Sequence, residues 1–287
     1  MSPDATHRSL TAVPAVARIS GPTVLAALQL ARTGRVYDLA LELNEGIPQG
    51  NPGAFTPFSF TWRVTPEGSG GDSPYRFAAE TITGPLHIGT HIDALIHVQA
   101  DGRIFGGELA SDARDDRGFN AHGIETVPPI VTRGVVLDVA GRAGQPALAD
   151  GYEITVADLQ DACDAAGVQV REGDAVLVRT GKIREFATDP TRFQAGQPGV
   201  GVDAAIWLYD QGMAILATDT TGTEPLPFTD EARTTHRAML VERGVHLVEN
   251  ALLDEVAAAG VSEGAFVCLP LKITGATGSW VRPVLVV

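Results

Sequence analysis

The run Gly84-Pro85-Leu86-His87-Ile88-Gly89-Thr90-His91-Ile92-Asp93-Ala94-Leu95-Ile96-His97 constrains this chain more than any other stretch. It holds three of the seven histidines and an aspartate, all at odd positions, with apolar or small residues between them. Imidazole and carboxylate together form the ligand set of zinc, manganese and non-haem iron. A fully extended path would spread Leu86 to Ile96 over roughly 33 Å, at ~3.3 Å per residue, too far for four groups to act on one point. The sequence therefore predicts a turn at Gly89-Thr90 that returns His87 beside His91. His91 and Asp93, two apart, share a face of extended chain, and one helical turn after Asp93 stacks it with His97. A single histidine in an apolar run is more often a hydrogen-bonded core residue than a ligand. Three converging with an acid are different, because burying so many titratable groups without a role costs several kcal/mol. The convergence favours a metal site over satisfied core polar residues.

Charge narrows the partners. The net charge is −14, the pI is near 4.8, and the basic residues form no cluster, so neither nucleic acid nor an anionic membrane is an expected partner. With 287 residues, 44% of them hydrophobic, the chain is long enough for one large core or two intimate ones. Cys163 and Cys268 are far apart among apolar residues and read as reduced core thiols. Met1 to Leu10 is polar and lacks the basic-then-apolar pattern of a signal peptide. No apolar run reaches the ~18 residues that span a bilayer. The expected compartment is the cytoplasm.

Along the chain, residues 1–35 read as an N-terminal tail and short helix, and 36–287 as one domain. Ser20-Gly21-Pro22-Thr23 offers an N-cap and a first-turn proline; Val24 to Arg32 is the predicted helix, closed by Gly34. Val36 to Leu41 is a predicted strand. Asn44 to Pro57 is a long loop, and Phe55, Phe58, Phe60 and Trp62 are candidates for an aromatic, substrate-binding wall; core aromatics on an ordinary strand are the equal alternative. Tyr75 to Ile82 is the strand expected to feed the central motif. Gly134–Val139 and Ala175–Val178 are continuous apolar runs of the kind buried strands show. Thr155 caps a helix through Ala166, ended by Gly167. Val202–Asp210 (helix), Ala214–Ala217 (strand), Arg233–Arg243 (helix), Val245–Val248 (strand), Phe266–Leu271 and Val281–Val287 (strands) follow. Strands alternate with helices, so the predicted fold class is α/β.

Two more candidates lie near the C-terminus. His236 falls on the predicted helix, and Glu249 ends the strand after it, where α/β proteins place functional groups. Each is weak alone: His236 also suits a helix surface, and Glu249 also suits an N-cap for Leu253–Ala259. His246 reads as solvent-facing or structural. His122 lies in a loop with nothing to pair it, and His7 in the tail.

With these residues placed, the chain resembles the metal-dependent cyclase family of hydrolases, which includes bacterial kynurenine formamidase, isatin hydrolase and a (−)-γ-lactamase. The family's His-x-Gly-Thr-His-x-Asp-x-Pro-x-His segment is matched by His87, Gly89, Thr90, His91, Asp93 and His97. Leu95 stands where most members carry proline, which predicts a different path from Asp93 to His97 and a different pocket floor. The resemblance continues in Tyr37-Asp38-Leu39, Val176 to Gly181, Thr218-Asp219-Thr220, His236, Val248-Glu249-Asn250 and Leu269-Pro270-Leu271, over roughly residues 36 to 287. It implies a swivelling β/β/α-type fold with a mixed sheet and flanking helices, in a homodimer or homotetramer whose neighbouring subunits help close the pocket. It also implies that His87, His91 and Asp93 ligate a first zinc or manganese ion. Where two ions bind, His236 and Glu249 hold the second with Asp93. His97 corresponds to the catalytic acid/base.

The expected activity is hydrolysis of the C–N bond of a small cyclic amide or aryl formamide by metal-activated water. A metal-dependent lyase or cyclase would use the same ligands, with His97 taking a carbon-bound proton. A non-catalytic metal-binding protein is the third alternative; the spare His97 argues against it, since structural zinc sites are usually closed by four protein ligands.

Overall fold

The computed structural model describes residues 12–48, 57–65, 77–228 and 230–287. Its centre is a nine-stranded mixed sheet. In chain order the strands used here are β1 (Val36–Asp38), β2 (Ser59–Thr65), β3 (Phe77–Thr83), β4 (His91–Asp93), β5 (Ile130–Asp138), β6 (Ala175–Arg179), β7 (Ile215–Thr218), β8 (His246–Glu249), β9 (Glu263–Cys268), β10 (Gly278–Trp280) and β11 (Val284–Val286). In space the sheet runs β1-β11-β9-β5-β6-β7-β8-β4-β10. β5 to β8 are parallel to one another, and every pairing outside them is antiparallel. The parallel centre is covered on both faces, which is why its strands read as unbroken apolar runs. Ala175–Arg179 and Ile215–Thr218 are buried at every position.

The helices α1 (Gly21–Leu28), α2 (Val156–Ala166) and α3 (Val202–Asp210) flank this sheet, with a π-helical turn at Arg237–Val241. Capping decides two of them as the sequence predicts. Thr155 and Asp158 bond reciprocally at the start of α2, and Gly167 closes it at φ +65°. Ser20 and Thr23 do the same for α1, which therefore begins at Gly21 and ends at Leu28, ahead of the expected Val24–Arg32. The predicted tail also shortens: Ala15 and Val16 are buried, and Arg18 donates to the carbonyls of Tyr209 and Met213.

Three further expectations shift. The strand Val36–Leu41 stops at Asp38, and the Leu41 N–H is taken by Thr90 Oγ1 at 2.8 Å. The strand expected at Tyr75–Ile82, described from Phe77 as β3, does not enter the main sheet: among the described residues it pairs only with β2, as a separate antiparallel ribbon. The helix expected at Arg233–Arg243 narrows to a short segment that is mostly π-helical. Such bulges tend to occur at functional sites. Among the described residues no helix is long and apolar enough to cross a membrane.

The site sits where β4, the shortest stretch of the central motif, lies between β8 and β10. Its three residues are all buried. Glu249 of β8 stands opposite His91, and Trp280 of β10 stands opposite it on the other side.

Candidate metal centre

Gly89 makes the turn the sequence calls for. It adopts φ +58°, and a Cβ there would lie 2.7 Å from Leu43 Cδ2, so a side chain is excluded on both conformation and space. Thr90 fixes the turn to the far half of the chain by donating to the Asn250 carbonyl at 2.7 Å. Asn250 Nδ2 returns a bond to the Gly89 carbonyl at 3.0 Å. After β4 the chain bends tightly, with the His97 N–H on the Ala94 carbonyl at 2.9 Å.

These turns bring His87, His91, Asp93 and His97 together, and β8 and the π-helical segment add Glu249 and His236. His91 Nδ1 donates to the Gly89 carbonyl at 2.9 Å, so its Nε2 faces inward, 3.4 Å from Glu249 Oε2 and 3.6 Å from Asp93 Oδ1. His236 is oriented the same way by a carboxylate: Nδ1 lies 2.5 Å from Glu224 Oε2. Its Nε2 is 3.4 Å from Asp93 Oδ2 and 3.3 Å from Glu249 Oε1. His87 Nδ1 bonds Asp93 Oδ1 and its Nε2 bonds Thr277 Oγ1, both at 2.8 Å. The His97 ring stacks on that of His87, with centroids 3.8 Å apart.

Asp93 is the hub. It is fully buried, and its Oδ2 has no hydrogen-bond partner among the described residues. A buried carboxylate oxygen left unpaired is costly, and a cation between the surrounding donors would satisfy it. Two overlapping triads, His87–Asp93–His97 and His91–Asp93–Glu249, each hold their ligand atoms within 4.8 Å of one another. Nitrogen and carboxylate oxygen donors in this mixture suit zinc or manganese and do not separate them. The donor set fits a divalent ion.

The electrostatics agree. Burial would raise the Asp93 pKa, but the surrounding imidazoles, led by His97 and His87, hold it well below the ordinary value. Burial also opposes charge on His236, yet Glu224 and Glu249 outweigh it and lift its pKa well above the usual range. His91 is raised for the same reason, through Glu249 and Asp93. His97 goes the other way: burial pushes it down to about 4, so its ring is neutral at physiological pH.

The other sequence candidates fall as follows. Phe55 lies outside the described residues. Phe58 is buried and meets Trp280 edge-on at 5.9 Å. Phe60 and Trp62 alternate with polar residues on β2 and are 44% and 64% exposed on the ribbon, so they build no wall with Phe58. His246 is buried, not solvent-facing, and its Nδ1 donates to the Asp93 carbonyl at 2.9 Å. His122 does have a neighbour, the edge-on ring of Phe105. Leu95 leaves the pocket floor alone. Its side chain is buried in the core with Phe105, Leu137 and Val139, and it occupies the second position of the turn closed by His97, where proline is also favoured.

Sequence reasoning missed Glu224, Thr223 and Thr277. Thr223 Oγ1 donates to Glu249 Oε1 at 3.0 Å, and the other two hold histidine rings. None lies in a periodic segment or beside the histidine or carboxylate it holds in sequence, so only the folded loops reveal them.

Comparison with known proteins settles the family. The Cyclase family model matches residues 37–225. The chain belongs to the cyclase family. It is 26% identical over 257 residues to a kynurenine formamidase of Bacillus cereus, covering 88% of this chain and 98% of that protein. A crystal structure described as a novel cyclase superposes with TM-score 0.86 at 28% identity, covering 99% of this chain and 95% of the other. Isatin hydrolase A from Labrenzia aggregata, bound to benzyl benzoate, shares the fold with TM-score 0.65 at 21% identity, covering 87% and 92%. The single α/β domain with its large mixed sheet is thus the fold of this cyclase family.

Proposed function

We propose that this cyclase-family chain is a metal-dependent hydrolase that cleaves the C–N bond of a small cyclic amide or aryl formamide. The observation that carries this reading is the buried Asp93 Oδ2, which makes no hydrogen bond among the described residues and lies among converging imidazole and carboxylate donors. The amide class draws on the kynurenine formamidase relatives and on the isatin hydrolase likeness in fold. His87, His91 and Asp93 are assigned to a first zinc or manganese ion, and Asp93, His236 and Glu249 to a second where two bind. When bound, such an ion acidifies water and polarises the scissile carbonyl.

The chain's own groups do the rest. His91 and His236 present Nε2 inward because their Nδ1 atoms are held by Gly89 and Glu224. His97, neutral and stacked on His87, takes a proton from attacking water and returns it to the leaving nitrogen. The buried flanks of β4 keep bulk water away from the carboxylates, which strengthens every charge interaction there.

The apolar face of the ribbon, with Phe60, Trp62 and Ile82 exposed, supports assembly as a homodimer or homotetramer; light scattering behind a sizing column tests it.

The central test is elemental analysis of protein purified without chelator, combined with turnover of isatin, a γ-lactam and N-formylkynurenine before and after EDTA. Chelator-sensitive hydrolysis of one of them, with 18O from labelled water in the acid product, is the expected result. Absence of bound metal after zinc and manganese are added back overturns the reading.

A further inference from the structure

One loop grips both outer side chains of the His236–Glu249 half of the site. It leaves β7 and carries Thr223, which donates to Glu249, and Glu224, which is buried. Glu224 Oε2 accepts from His236 twice, from Nδ1 at 2.5 Å and from the backbone N–H at 3.2 Å. The loop is clamped from behind by buried Gln197. Its side-chain amide donates to the carbonyls of Gly222 and Glu224 and accepts from the Gly222 N–H. Its backbone pairs with Leu226 in both directions. Gly199 closes the back of the clamp, where a Cβ would lie 2.1 Å from the Glu224 carbonyl carbon.

We propose that Glu224 is a positioning residue that orients His236 to hold a second divalent cation with Asp93 and Glu249. The proposal rests on the metal-site reading above and deepens it. With Nδ1 committed to Glu224, Nε2 points between Asp93 Oδ2 and Glu249 Oε1. A ligating imidazole nitrogen must be free of its proton, so a divalent cation between the two carboxylates would take that proton's place. A rotated ring would present carbon there instead.

Carboxylate partners of ligating histidines fix ring orientation and raise donor strength, and losing one typically weakens metal affinity about 10- to 100-fold. The ring orientations in the other half of the site do not depend on this loop. His91 takes its tautomer from the Gly89 carbonyl, and His87 is held by Asp93 and Thr277. Glu224 therefore acts on one ion and spares the other.

The test strips the full chain with chelator and titrates Zn2+ alone by calorimetry into wild type, Glu224→Gln, Glu224→Ala and His236→Ala. Thermal unfolding of each metal-free protein controls for folding. Wild type is expected to bind two ions and His236→Ala to lose one. Glu224→Ala should weaken that same ion about 10- to 100-fold while the other keeps its affinity, and Glu224→Gln, which retains an acceptor for Nδ1, should fall between. If the alanine variant fails to fold, the isosteric glutamine variant decides. Wild-type affinity in the deciding variant, equal weakening of both ions, or a single ion in wild type overturns the proposal. A wild type that binds no Zn2+ removes the metal-site reading itself.

Discussion

His97 lies almost flat against His87, ring centroids 3.8 Å apart and planes 19° from parallel. The proposed proton carrier thus rests on a proposed ligand and is positioned by it, without needing to bind metal itself. His97→Ala is expected to keep its metal and lose about 10²- to 10⁴-fold in kcat. His91→Ala is expected to lose the metal. Elemental analysis of both variants after gel filtration, beside their turnover, checks this; equal metal loss would contradict the division of roles.

Leu95 belongs to the core and not to the pocket. Leu95→Ala should cost about 2–5 kcal/mol of stability, as buried leucine truncations do, with kcat/KM of the folded protein unchanged. Chemical unfolding and steady-state kinetics on one preparation separate the two effects. A change in substrate preference would place Leu95 back at the pocket.

Gly278 backs the site from β10. A Cβ there would lie 2.6 Å from His87 Cε1 and 2.9 Å from the Ile92 carbonyl oxygen. Gly278→Ala must push the His87 ring or the strand, so we expect metal affinity to fall on the order of tenfold, comparable to losing a ligand's support. Zinc titration of the variant reads this out, and wild-type affinity would show that the ring yields freely.

His246 gives stability a pH dependence with a defined sign. Burial pushes its pKa down to about 4, from an ordinary 6.5, so the fold favours the neutral ring. Its contribution is complete above 6.5 and drains away as pH falls from there to about 4, where the unfolded chain takes a proton that the folded one refuses. The loss from this group amounts to about 3 kcal/mol. Guanidinium unfolding at pH 7.5 and 4.5 should show a smaller acid loss in His246→Gln than in wild type; an unchanged difference would remove His246 as the cause.

Much of this was legible in the chain. The odd-numbered spacing of His87, His91, Asp93 and His97 contains its own geometry once Gly89 supplies the turn. The apolar runs at 175–179 and 215–218 could hardly be anything but buried parallel strands. What stayed hidden depends on contacts between remote segments. Glu224 is an unremarkable loop acid until Gln197 fixes its loop and His236 turns towards it. Leu95 looked like a pocket residue because its neighbours are, yet adjacent positions in a tight turn point to different sides. Phe60 and Trp62 have the alternation of a half-buried strand, and the sequence does not say that the partner strand is only β3.

The placement of β4 has a consequence for how the protein is made. The strand that carries His91 and Asp93 has no neighbour from its own part of the chain: it is flanked by β8 and β10, both near the C-terminus. On a ribosome, the first histidines emerge long before anything can assemble around them. The complete cluster needs β8 and β10, so a chain that ends before them holds His87, His91, Asp93 and His97 without Glu249 or the strands that bury them. The buried surroundings of the cluster are thereby the last part of the sheet to be completed.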